Sequence, residues 1–263
     1  MCAMARIGAL LLAGVTATAC AAATSSAERL SAPRAAGGAP PSLANACGSA
    51  GGIGARALWL TTDDRVRLYA IEAGDGQVGV VLAHQGGSNL CEELPYAKTL
   101  RHAGLRVLAF DFRGNGHSAR PSKNVLAYRR DFTAAIKQLR SDGARRVFLI
   151  GASMGGAAAV QNSGGLPLTG VVSLSGTRLW SGYGINKPGP RALRVPFLYV
   201  GSKSDYRAPL KEARIIFRNA GSREKRIIFY RGSLHGWELV QDAPFAATAR
   251  ALILAWIRGH TRP

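Results

Sequence analysis

From Ala57 onward the chain alternates short apolar runs with longer amphipathic stretches, and this alternation restricts its fold more than any other feature. Val78 to Ala83, Leu105 to Phe110, Arg146 to Ile150, Val171 to Leu174, Pro196 to Val200 and Arg226 to Tyr230 are nearly continuous apolar segments. A strand with one wet face alternates apolar with polar residues, whereas a strand covered on both faces reads as an unbroken apolar run. The six segments are therefore expected as parallel strands inside the molecule. Ala57 to Thr62 and Val66 to Glu72 read as an antiparallel opening pair, which brings the sheet to about eight strands. Helices are expected near residues 90–103, 123–142, 154–163, 207–220 and 242–258. The fold class is α/β: an open, mostly parallel, doubly wound sheet with helices on both faces.

Composition narrows the partners. With 47% hydrophobic and 19% charged residues the chain can bury a core, which excludes wholesale disorder. The net charge of +19, from 34 basic and 15 acidic residues, raises nucleic acid, anionic lipid or an acidic polymer as partners. The basic residues are mostly Arg and are scattered. The longest Arg runs are the pairs Arg129-Arg130 and Arg145-Arg146, and neither sits in a nucleic-acid motif, so no nucleic-acid partner is expected. Two readings of the charge remain open: a compositionally biased surface, or a functional electropositive one.

The amino terminus reads as an export signal. Ile7 to Ala23 carries no charge and follows Arg6, and its most apolar part, Ile7 to Val15, suits a signal-peptide core better than a membrane span. Residues 1–19 are assigned to that signal. Ala17-Thr18-Ala19 before Cys20 resembles a bacterial lipobox, in which the Cys becomes the lipidated first residue of the mature protein. Ordinary cleavage after an Ala-x-Ala-like site is the alternative. Either route takes the domain out of the cytoplasm, lipid-anchored to the cell membrane or secreted. Residues 20–46, rich in Ala, Ser, Pro and Gly, read as a disordered tether, and 47–263 as the folded domain. Cys47 and Cys91 are the only Cys in that domain, and an oxidising compartment implies that they pair.

In open α/β sheets the chemistry lies in loops at the carboxyl ends of the strands. After Ile150 comes Gly151-Ala152-Ser153-Met154-Gly155-Gly156, a G-x-S-x-G between an apolar strand and an Ala-rich helix. A sharp turn there projects the Ser hydroxyl out of the sheet, with small neighbours that let strand and helix approach. After Ala83 comes His84-Gln85-Gly86-Gly87-Ser88-Asn89, a Gly-rich turn able to aim backbone N–H groups at a developing oxyanion. His84 is expected to tie that loop in place. After Phe110 comes Asp111-Phe112-Arg113-Gly114-Asn115-Gly116-His117-Ser118. These three motifs in this order resemble the α/β-hydrolase superfamily, whose D-x-R-G-x-G-x-S loop is mainly structural.

The resemblance implies a triad in the order nucleophile, acid, His. It carries over to Ser153 as nucleophile, to Asp205 in the loop after Val200, and to His235 in the loop after Tyr230. It implies oxyanion donors at Met154 and at Gln85 or Gly86, since Gln85 stands where the family usually has Gly. Only about twenty residues, Thr177 to Val195, separate two late strands, so no large cap domain is expected. Trp180, Tyr183, Tyr206 and Trp237 could line an acyl pocket or belong to the core. No metal-ligand cluster, P-loop or dinucleotide fingerprint is present, so no metal and no cofactor is implied. The expected activity is hydrolysis of a small or lipid-like carboxylic ester. A cell-envelope peptidase or acyltransferase on the same triad, and a non-catalytic binding protein with the same fold, are the alternatives.

Overall fold

A computed structural model of the chain describes residues 38–48, 53–123, 126–177 and 189–261. The signal segment, Cys20, and Trp180 and Tyr183 lie outside these ranges.

Eight strands form one sheet: β1 (Arg56–Thr61), β2 (Arg67–Ala73), β3 (Val78–Ala83), β4 (Arg106–Phe110), β5 (Arg146–Ala152), β6 (Gly170–Leu174), β7 (Phe197–Ser202) and β8 (Lys225–Tyr230), in the order β1-β2-β4-β3-β5-β6-β7-β8. β2 is antiparallel to both β1 and β4, and every other pairing is parallel. The inner strands are buried along nearly their whole length, as their apolar runs require. Successive side chains serve opposite faces: Val81 and Leu108 join one core, while Val80, Leu82, Val107 and Ala109 join the other.

The helices are α1 (Leu43–Cys47), α2 (Leu94–His102), α3 (Tyr128–Ser141), α4 (Met154–Asn162), α5 (Leu210–Asn219), α6 (Glu238–Gln241) and α7 (Ala246–Gly259). α3, α4 and α5 cover one face through Phe132, Ala158 and Ile216. α2, α6 and α7 cover the other through Leu100, Leu239 and Ile253. The segment expected as one helix over 90–103 begins instead as a 3₁₀ turn at Leu90–Glu93, and α2 follows with Pro95 in its first turn, where a missing N–H costs nothing. The carboxyl-terminal helix begins later than expected because Pro244 separates the short α6 from α7.

The domain's contacts reach back ahead of Cys47. Trp59 Nε1 and Arg67 both donate to the Gly38 carbonyl, Tyr69 donates its hydroxyl to the Pro41 carbonyl, and Ser42 caps α1 through Asn45 N–H. Residues 38–46, read from composition as the end of a disordered tether, are thus bound to β1 and β2, with Leu43 buried. The expected Cys47–Cys91 disulfide is formed, with 5.5 Å between the two Cα atoms, and it fastens this segment to the 3₁₀ turn before α2.

Candidate active site

Four loops at the carboxyl ends of β3, β5, β7 and β8 carry the residues singled out in the sequence. Ser153 stands between β5 and α4 with φ 47° and ψ −110°. A non-Gly residue in that region costs roughly 1–3 kcal/mol, so the surroundings must hold it there. They do so from both sides. Ser153 N–H donates to the Leu174 carbonyl at 2.8 Å, and its own carbonyl accepts Ala157 N–H at 2.9 Å. The flanking glycines are required by contact: a Cβ on Gly151 would lie 2.3 Å from the Gly155 carbonyl, and one on Gly155 would lie 2.2 Å from the Ala83 carbonyl oxygen. The turn therefore packs directly on the end of β3, where the His84 loop begins. Ser153 is 8% exposed.

Asp205 and His235 meet because β7 and β8 are adjacent parallel strands whose loops continue the pairing: Lys203 N–H donates to Tyr230 O and Ser204 N–H to Gly232 O. His235 Nδ1 lies 2.7 Å from Asp205 Oδ2, with both side chains buried. Asp205 Oδ1 accepts the N–H groups of Arg207 and Ala208 at 3.0 and 3.1 Å. The carboxylate thus holds its own loop with one oxygen and the imidazole with the other. Burial pushes its pKa up, but the His235 hydrogen bond and charge and the backbone donor outweigh it, leaving the carboxyl below its ordinary value. His235 is fixed from behind as well, its N–H donating to Glu238 Oε2 at 2.8 Å.

The His235 loop lies against the other two. A Cβ on Gly236 would sit 3.4 Å from Ala152 Cβ and 1.8 Å from Gln85 Oε1. Among the described residues Ser153 Oγ and His235 Nε2 share no hydrogen bond.

In the loop after β3, His84 is fully buried. It accepts Phe112 N–H on Nε2 at 3.0 Å and lies 2.7 Å from the Gln85 carbonyl through Nδ1, so Nδ1 carries the proton. Burial lowers its pKa to about 4, which keeps it a neutral structural clamp. Gln85 N–H, one of the two alternatives for an oxyanion donor, is engaged elsewhere: it donates to Glu92 Oε1 at 2.8 Å, while Gln85 Nε2 donates to Glu92 Oε2 at 3.1 Å. Among the described residues Gly86 N–H has no such partner, and Met154 N–H opens α4. Glu92 in turn accepts Gln241 Nε2 on its carbonyl at 2.8 Å, which ties this loop to α6.

The loop after β4 is structural. Asp111 accepts Leu90 N–H and His117 N–H, each at 2.8 Å. Arg113 is buried in a charge cluster, contacting Asp131 at 2.7 Å and Asp64 at 2.9 Å. Arg113 brings Asp64 down to about 2, whereas burial holds Asp131 up at about 6 despite the same partner. Of the aromatic residues considered for an acyl pocket, Trp237 is buried against Tyr96, and Tyr206 is 75% exposed beside Asp205. Among the described residues no group of three His, Cys, Asp or Glu is arranged to hold a metal ion.

Sequence reasoning missed Glu92 and Glu238. Glu238 had a usable signal, an acidic residue three positions after the residue whose N–H it accepts. Glu92 had none, since it meets Gln85, seven residues earlier in the same β3–α2 connection, only once the 3₁₀ turn has folded back.

A strained Ser elbow, a Gly-rich loop before it and an Asp–His pair after it, on this strand order, define an α/β-hydrolase architecture. The model of the alpha/beta hydrolase family matches residues 80–261, and the chain belongs to that family. No curated protein sequence matches it. Among solved structures it is similar to an esterase of Pyrococcus furiosus, with a TM-score of 0.66 and 17% identity over 84% of this chain and 99% of that one. It is similar also to a monoacylglycerol lipase of Paleococcus ferrophilus (0.61, 19% identity, 74% and 99% covered) and to a thermophilic esterase of Thermogutta terrifontis (0.63, 16%, 79% and 100%). At these identities the likeness is one of fold. No large cap domain is evident among the described residues.

Proposed function

We propose that this protein is a serine hydrolase that cleaves carboxylic esters. The observation that carries the reading is the buried 2.7 Å His235–Asp205 pair beside the strained Ser153 turn. Asp205 fixes the proton on His235 Nδ1, which leaves Nε2 as the base. Ser153 Oγ attacks the ester carbonyl and passes its proton to Nε2, and the N–H groups of Met154 and Gly86 hold the oxyanion. His235 then protonates the departing alcohol. Water, activated by the same imidazole, releases the acid and frees Ser153. Gln85 does not serve as the donor because its N–H is engaged by Glu92. Esterases and a lipase among the similar folds support ester over amide substrates. The test is hydrolysis of a p-nitrophenyl ester series by the full chain and by Ser153→Ala. Turnover abolished by the substitution supports the reading, and turnover that survives it in a folded variant overturns it.

Export belongs to the same proposal. The Cys47–Cys91 disulfide suits an oxidising compartment, in keeping with a leader at 1–19 and lipidation of Cys20. Incorporation of labelled palmitate in a bacterial host, lost in Cys20→Ser, is the expected result. Equal labelling of both chains, or none of either, removes the anchor.

A further inference from the structure

The scattered arginines of the sequence converge at the end of the sheet opposite the catalytic loops. Arg145 and Arg146 stand at the entry to β5, where both N–H groups donate to the Gln77 carbonyl. Arg140 reaches the same place from the last turn of α3, and Arg194 from the segment before β7. The four line one cavity of about 610 Å³, floored by Pro167, Thr169 and Pro196 at the amino ends of β6 and β7.

Its electrostatics are one-sided. Among the described residues no Asp or Glu lines the cavity. His260, which also lines the cavity, is paired with Glu224 at 2.7 Å. None of the four guanidinium groups forms an ion pair among the described residues. Arg140 donates to the Pro167 carbonyl and Arg194 to the Gly221 carbonyl, which orients them and leaves most of their five N–H donors unused. Elsewhere the same chain pairs its arginines closely, Arg113 with Asp131 and Asp64, and Arg106 with Glu72. Four like charges in one concavity focus a positive potential that a single carboxylate would only partly offset. A phosphate, with two charges and several acceptor oxygens, can take forked hydrogen bonds from more than one guanidinium at once.

We propose that this arginine-lined cavity is an anion site for phosphate groups, separate from the ester-cleaving centre. A soluble polyphosphate and the headgroups of an anionic phospholipid share this chemistry, and the adjoining groove of Ile136, Lys137 and Pro167, which shares Arg140 with the cavity, leaves room for a ligand longer than one phosphate.

The experiment measures binding of the full chain to inorganic tripolyphosphate by calorimetry, and to phosphatidylglycerol vesicles by sedimentation against phosphatidylcholine vesicles. Arg145→Glu/Arg146→Glu is compared with Lys211→Glu/Arg214→Glu, which makes the same charge change on exposed positions of α5. The expected result is saturable binding weakened at least tenfold in the first variant and less than twofold in the second, with ester turnover unchanged in both. Such a difference with tripolyphosphate alone identifies a soluble ligand, and with vesicles alone a lipid headgroup. Equal weakening in the two variants, or no saturable binding to either probe by the wild type, overturns the proposal.

Discussion

Gly236→Ala tests how tightly the loops around Ser153 are interlocked. The added methyl would fall 1.8 Å from Gln85 Oε1 and 2.9 Å from its Cδ. Gln85 is not free to swing aside, because Oε1 is buried and Nε2 is bonded to Glu92. Making room means breaking a hydrogen bond to a charged acceptor, worth about 1.5–3 kcal/mol. Gly236 also has φ 59°, and an L-residue in that region adds about 1–2 kcal/mol. The substitution should therefore cost about 2.5–5 kcal/mol in the wild type, but only about 1–2 kcal/mol in a Gln85→Ala background, where the obstruction is gone. Guanidinium unfolding of the four proteins in the cycle, followed by Trp fluorescence, measures both costs. Ester turnover should follow, with Gly236→Ala losing more kcat than the double variant. A cost equal in the two backgrounds to within about 0.5 kcal/mol refutes the packing argument.

Other expectations follow from the same contacts. Asp205→Asn should lower kcat by about 10³–10⁴ with little loss of stability, since the imidazole loses its tautomer and its counter-charge; a drop below tenfold in steady-state assays would remove Asp205 from the triad. Glu93 is buried with neither oxygen bonded among the described residues, and burial, with Glu92 and Asp111 nearby, raises its pKa well above that of the unfolded chain. Its contribution is therefore complete below the unfolded value of about 4.5 and is lost as pH rises through the folded one, so Glu93→Gln should flatten the decline of stability as pH rises above the unfolded value. Matching slopes for the two proteins would show that Glu93 does not titrate in this way. Replacing both Cys47 and Cys91 by Ala should cost about 4 kcal/mol by the loop-closure model, read as a lower unfolding midpoint, and a change under 1 kcal/mol would show that the strap contributes little.

The strands were legible because burial on both faces leaves a local mark. Val78 to Ala83 needed no correction, and the other expected segments differ from the strands by a residue or two at their ends. Their spatial order was not legible. β3 and β4 exchange places relative to the chain, and two apolar runs of the same character do not record which is the neighbour of which. Residues 38–46 were read as a tether because Ala, Pro and Ser carry no periodicity, yet carbonyls at Gly38 and Pro41 suffice to hold them to Trp59, Arg67 and Tyr69. At the site, Ser153 stood out by its motif after an apolar strand, and the hydrolase resemblance then pointed to Asp205 and His235 in the loops after two later strands. The choice between Gln85 and Gly86 did not stand out, since it turns on a carboxylate seven residues on that meets Gln85 only after the 3₁₀ turn folds back.

The most direct test of the central claim is covalent. The full chain treated with a fluorophosphonate, digested and mapped by mass spectrometry, should carry one adduct, on Ser153. The adduct should be absent from Ser153→Ala and form far more slowly in His235→Ala. A folded wild-type chain that stays unlabelled, or that is labelled at a residue other than Ser153, would contradict the account.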